Sequence, residues 1–350
     1  MDIKSLLFLP LPLVAACYGG ERYNTGECPA GETCSTLTPK GLQFIGNELA
    51  GELSLSGPRP TAIGGTQAVA LQYDRGDGVT IALDLPYTAD DNGGRGITVA
   101  GTSGSQVTVR GAGSFSNYLR ILDEDGLLMD RKELTGAALS TMELVPVDYE
   151  AIPADMPLAW AKGTRKLAVA LYGDVQTSTG PRAERLVDTA MQLSFAGAQR
   201  TNWDTLQIDA QVGSYLIGVT AGDKPAAALD FIVVDHADSV AVQQNAPSTI
   251  SPNNSTTVCF SAVSGSRYVA GLTWTYQVDG VQTTKGDGTL QRNCIAVSTA
   301  KTTGTVSVSA AAGGQSTAMA LTVGAARTTG TNPAHIVSHA IATEGDRAAM

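Results

Sequence analysis

Leu272-Thr273-Trp274-Thr275-Tyr276-Gln277-Val278-Asp279-Gly280 alternates large apolar with polar side chains and then stops at a turn dipeptide. A period of two puts Leu272, Trp274, Tyr276 and Val278 on one face of a strand, and Asp-Gly is a strong hairpin signal. The pattern continues on both sides. Val258 and Phe260 precede it on one face; Val306 and Val308, the turn at Gly313-Gly314, and Met319, Leu321 and Val323 follow it. Short strands at this spacing, with turns between them, predict a β-sandwich over residues 239–324.

Upstream the same periodicity returns. In residues 41–148, Val69, Leu71 and Tyr73 share a face, and Val79, Ile81, Leu83 and Leu85 share the next, across Asp74-Arg75-Gly76-Asp77-Gly78. Ile97 and Val99, Val107 and Val109, Leu119–Leu122 and Met142–Val147 extend the pattern. In residues 149–238 the sets are Leu167, Val169 and Leu171, then Met191, Leu193 and Phe195, then Tyr215, Ile217 and Val219, then Leu229, Phe231 and Val233. The two segments share a lead, Gly65–Leu71 beside Gly163–Leu171, and an ending, Glu143–Asp148 beside Phe231–Asp235. They read as diverged copies of one module, so the predicted class is all-β, a tandem of antiparallel sandwiches.

Thr257-Val258-Cys259-Phe260, Leu272-Thr273-Trp274, Gly304-Thr305-Val306-Ser307-Val308 and Ala320-Leu321-Thr322-Val323 resemble the bacterial Ig-like domain family. The resemblance covers 239–324 and extends more loosely over the two upstream segments. It implies Ig-like sandwiches and a place in surface or adhesive proteins, and it carries no catalytic residues.

Residues 1–16 have the layout of a secretion signal, with Lys4 ahead of an apolar core from Leu6 to Val14. That core is too short for a bilayer helix and is interrupted by Pro10 and Pro12. Val14-Ala15-Ala16-Cys17 resembles the lipobox of bacterial lipoproteins, which implies acyl chains on Cys17 and cleavage just before it. Two or more chains anchor stably. Tyr18, standing where an aspartate would signal inner-membrane retention in that family, points to the outer membrane. Residues 17–40, rich in Gly, Thr and Pro, read as a tether, and 325–350 as a flexible tail.

With Cys17 lipidated, four cysteines remain in an exported chain, which suggests two disulfides. Three pairings are open. The local one joins Cys28 to Cys34 and Cys259 to Cys294; Cys28-Pro29-Ala30-Gly31-Glu32-Thr33-Cys34 also resembles cysteine loops that follow the anchor in surface lipoproteins. Metal ligation by the first pair lacks partner ligands nearby. Cys259 and Cys294 alternate out of phase with Val258 and Phe260 and with Ile295 and Val297, which predicts a cross-strand bridge on the outer face of a sheet.

Lys and Arg total 23 against 33 Asp and Glu, a net charge of −10, and no basic run stands out, which argues against nucleic-acid binding. His236 is the one histidine in the β-rich region, and it lacks a nucleophile elbow; His335 and His339 fall in the tail. Asp123 and Asp125 are weak calcium candidates, as is Asp90-Asp91-Asn92-Gly93-Gly94, since an Asp-Gly pair is first of all a turn. Arg75-Gly76-Asp77 spells a known adhesion tripeptide and reads as turn chemistry. No cofactor is indicated. The expected function is a non-catalytic envelope lipoprotein, held to the membrane by its lipid and acting as a spacer or as a binder of a protein or glycan. A periplasm-facing assembly factor is the alternative, and a hydrolase using His236 ranks last.

Overall fold

The computed structural model describes residues 28–52, 57–177, 180–244, 246–279, 291–299 and 303–324; Cys17, Gly280, His335 and His339 lie outside them. The chain is all-β, the class expected from its period-two pattern, and its described strands fall into three modules. Module one holds β1 (Leu42–Ile45), β2 (Thr61–Ala62), β3 (Thr66–Asp74), β4 (Thr80–Ala82), β5 (Thr88–Asp90), β6 (Ile97–Ser103), β7 (Gln106–Gly111), β8 (Ser116–Leu122) and β9 (Leu128–Ala137). Module two holds β10 (Leu139–Pro146), β11 (Leu158–Ala161), β12 (Gly163–Thr177), β13 (Gly180–Leu186), β14 (Gln192–Ser194), β15 (Gln199–Arg200), β16 (Thr205–Ala210), β17 (Gly213–Thr220) and β18 (Ala227–Val234). Module three holds β19 (Ser239–Val242), β20 (Thr249–Ile250), β21 (Ser255–Ser264), β22 (Arg267–Ala270), β23 (Trp274–Asp279), β24 (Cys294–Ser298), β25 (Gly304–Ala312) and β26 (Gln315–Val323).

The modules repeat one pairing scheme. The first strand of each lies antiparallel to the third, as β1–β3, β10–β12 and β19–β21. The short second strand runs parallel to the last, as β2–β9, β11–β18 and β20–β26. The last two strands form a hairpin in each, as β8–β9, β17–β18 and β25–β26. Alternation decides which side chains enter the cores: Val69, Leu71 and Tyr73 of β3 are buried while their neighbours are half-exposed. Separate apolar clusters form around Leu71 and Ile121, around Trp160 and Phe231, and around Phe260 and Val308.

The observed structure corrects three expectations. The boundary at 148 falls too late, because β10 pairs with β12 and its Leu139 and Leu144 pack in the core of module two. The returning strand of the hairpin expected at Asp279-Gly280 would fall within 280–290, outside the described residues; among the described strands β23 pairs with β25, and β24 joins β21 in the opposite sheet. Of the expected tether, residues 28–40 dock on module one. Leu128 exchanges backbone hydrogen bonds with Thr33 and Ser35, and Arg120 holds Glu32 at 2.7 Å and Asp90 at 2.9 Å. The Cys259–Cys294 bridge is cross-strand, with its residues directly opposite in the β21–β24 ladder, but its face is covered and Cys294 is buried. The cover is the connector ahead of β11, through Tyr149 and Ala151.

Candidate functional site: the joints between modules

A single device joins neighbouring modules. The short second strand of one module has its own last strand on one side and a segment of the next module on the other. At joint one, the Pro60 carbonyl accepts from the Val187 N–H (2.9 Å), and the Ala62 N–H donates to the Val187 carbonyl (3.0 Å). At joint two, the Pro157 carbonyl accepts from the Tyr268 N–H (2.9 Å), and β11 lies parallel to both β18 and β22. A continuous sheet, β14-β17-β18-β11-β22-β21-β19, therefore runs from module two into module three. Ala62 and Ala137 of module one and Tyr268 and Ala270 of module three pack into the core of module two.

Buried carboxyl groups sit on both joints. Asp188, directly after Val187, accepts from Thr66 N (3.0 Å) and Ala190 N (3.0 Å) on one oxygen and from Gly222 N (2.7 Å) on the other. Gly65 is required beside it, since a Cβ there would lie 2.6 Å from the Asp188 carboxyl carbon. Asp204 accepts from Ala50 N (3.0 Å), and buried Arg185 donates to the Ala50 carbonyl (2.8 Å) while facing Glu52. Thr66 N and the Ala50 backbone come from module one, so separating the modules would leave polar groups at Asp188, Asp204 and Arg185 without these partners.

At joint two, Glu150 accepts from Tyr268 Oη (2.8 Å) and Gly271 N (3.0 Å). Burial pushes its carboxyl up to about 7, and nearby Asp148 adds to the effect. The buried Asn293 side chain clasps Ala151 with its amide and carbonyl groups, both at 2.7 Å, and also donates to Phe260 O. Trp160 lies 5.2 Å from Phe231 between ring centroids.

The residues singled out in the sequence lie elsewhere. Asp123 closes the β8–β9 turn; hydrogen bonds from Ser35, Leu127 N and Asp125 N hold its carboxyl below the usual range. Asp91 likewise accepts from Gly93 N and Val99 N within its own turn. Among the described residues no group of three or more His, Cys, Asp or Glu is placed to hold a metal. Arg75, Gly76 and Asp77 are exposed at the β3–β4 turn, braced by Asp74. The exposed His236 sits between Asp235 (2.9 Å) and Asp238 (3.7 Å), with Ser264 bonded to the far side of Asp238. In that order the imidazole does not hold the serine hydroxyl, as a Ser-His-Asp site requires. Cys28 and Cys34 are bridged, with Cα atoms 5.7 Å apart.

Two open depressions also mark the surface. One of about 540 Å³ is lined by Leu193, Phe195, Arg200 and Leu216; one of about 270 Å³ lies between Phe115, Thr135, Asp174 and Gln176.

No known family and no curated protein matches this sequence. Solved structures similar to it include the S-layer protein SbsC (11% identity, 88% of this chain and 54% of that one, TM-score 0.26). Invasin, a bacterial integrin-binding protein, matches at 13% identity over 81% of this chain and 60% of that one, TM-score 0.23. An endo-fucoidan hydrolase matches at 13% over 82% and 45%, TM-score 0.21. Likenesses this slight, spread over surface proteins and an enzyme, carry no argument about this chain.

Proposed function

We propose that the chain is an exported envelope protein, anchored through lipid on Cys17, whose three locked modules form a non-catalytic stalk that holds a ligand-binding end away from the membrane. The observation that supports this best is the construction of the joints. A chain that bends between modules leaves exposed linkers there, whereas these joints use shared strands and buried Asp188, Asp204 and Glu150. Residues 18–27 remain as the tether between the anchor and the docked cysteine loop. The bound partner, on this reading, is a protein or a glycan.

Cell fractionation with Cys17→Ser and surface proteolysis test the proposal together. The wild-type chain is expected in the outer-membrane fraction, acylated by mass, and the variant in the soluble fraction. Protease added to intact cells is expected to release peptides from residues 41–324. Retention of the variant in the membrane would refute the anchor. Full protection from protease until the outer membrane is opened would refute surface display and favour a periplasmic role.

A further inference from the structure

We infer that the outer edge of β20 is an unfilled joint, and that a second copy of this chain fills it about a two-fold axis. The three short second strands are equivalent. Each follows a proline, Pro60, Pro157 or Pro247. In the first two the proline carbonyl accepts from the next module, through Val187 N and Tyr268 N. In β20 the inner side is used by Thr322 N to Ser248 O (3.0 Å) and Gly324 N to Ile250 O (3.2 Å). Strand alternation then turns the Pro247 carbonyl and both backbone groups of Thr249 outward.

Exposure follows the same logic. Thr61 and Ala159, in the filled joints, are 1% and 0% exposed, whereas Ser248 and Thr249 are open. An open strand edge is a template for pairing with another chain.

The opposite end of the molecule does not fit this edge. The segment of module one that corresponds to Val187 and Tyr268 follows β4, where Leu83 pairs back to Leu71. Beyond it come Asp84 and Pro86, both exposed, and a charge with a proline blunts a strand edge. The β20 edge carries no charge at Pro247, Ser248 or Thr249. Two chains of net charge −10 thus meet best where neither is charged. With the two edges antiparallel, Thr249 faces Thr249 of the second copy and exchanges both N–H···O bonds with it, an isologous contact. So short an edge gives weak pairing for one pair of molecules. Many anchored copies would strengthen it, a gain that rests on the stalk reading although the pairing itself does not.

The test uses the exported chain beginning after residue 17. Sedimentation is expected to show reversible dimers as concentration rises, and amide exchange over 246–252 to become protected only in the concentrated sample. Thr249→Pro, which removes the outward N–H, is expected to stay monomeric with unchanged thermal stability; Thr249→Cys is expected to form a disulfide-linked dimer on oxidation. Monomer at every concentration would overturn the inference. So would protection of 246–252 that is already complete in dilute solution, which would mean that the chain covers its own edge. Cross-linking of Thr249→Cys to Asp84→Cys in a mixture of the two variants would replace the two-fold contact with a head-to-tail one.

Discussion

The carboxylate of Asp188 in module two lies 3.0 Å from the backbone nitrogen of Thr66 in module one, a bond that spans 122 positions of sequence and closes joint one. Asp188→Ala leaves the part-buried N–H groups of Thr66 and Gly222, and that of Ala190, without their acceptor. The expected cost is about 3 kcal/mol in denaturant unfolding, with faster amide exchange at Thr66 and Gly222. Asp188→Asn keeps one accepting oxygen and is expected to lose roughly half as much. Gly65→Ala presses on the same carboxylate and should mimic the alanine variant.

Glu150 makes joint two sensitive to pH. Its ordinary value of 4.5 is raised to about 7 in the folded chain. The folded state therefore holds this proton across the interval between those values, and stability is highest below it and falls as pH rises through it. At 1.36 kcal/mol per pH unit the full loss is about 3 kcal/mol. Glu150→Gln is expected to flatten this fall and to be more stable than the wild type at pH 8 in denaturant titrations. The slope that remains belongs partly to Asp130, which burial lifts to about 6.

The Cys259–Cys294 bridge closes 35 positions of module three. Replacing both cysteines by serine is expected to cost about 3 to 4 kcal/mol, from the loop entropy returned to the unfolded chain. Cys28 and Cys34 are half-exposed while Cys294 is buried, so mild reduction with alkylation is expected to label the first pair before the second.

Much of the sandwich was legible because alternation is local. Val69, Leu71, Tyr73, Leu119 and Ile121 are buried where period two puts them. What pairs with what was harder to read: Met142–Val147 alternates like any strand, and only its ladder with β12 assigns it to module two. The joints were missed because Asp188, Asp204 and Glu150 are acidic residues that only tertiary contact buries. One local signal was present. Pro60, Pro157 and Pro247 each precede a short uncharged run, and the three mark the strands on which the joints are built.

Distances between spin labels test joint locking most directly. Thr102 and Gln192 are exposed on modules one and two, and Thr322 on module three. Pairs of labels at 102 and 192, and at 192 and 322, are expected to give one narrow distribution each, with Asp188→Ala broadening only the first. Broad distributions for both pairs in the otherwise unaltered chain would contradict the locked stalk and leave three modules that swing independently.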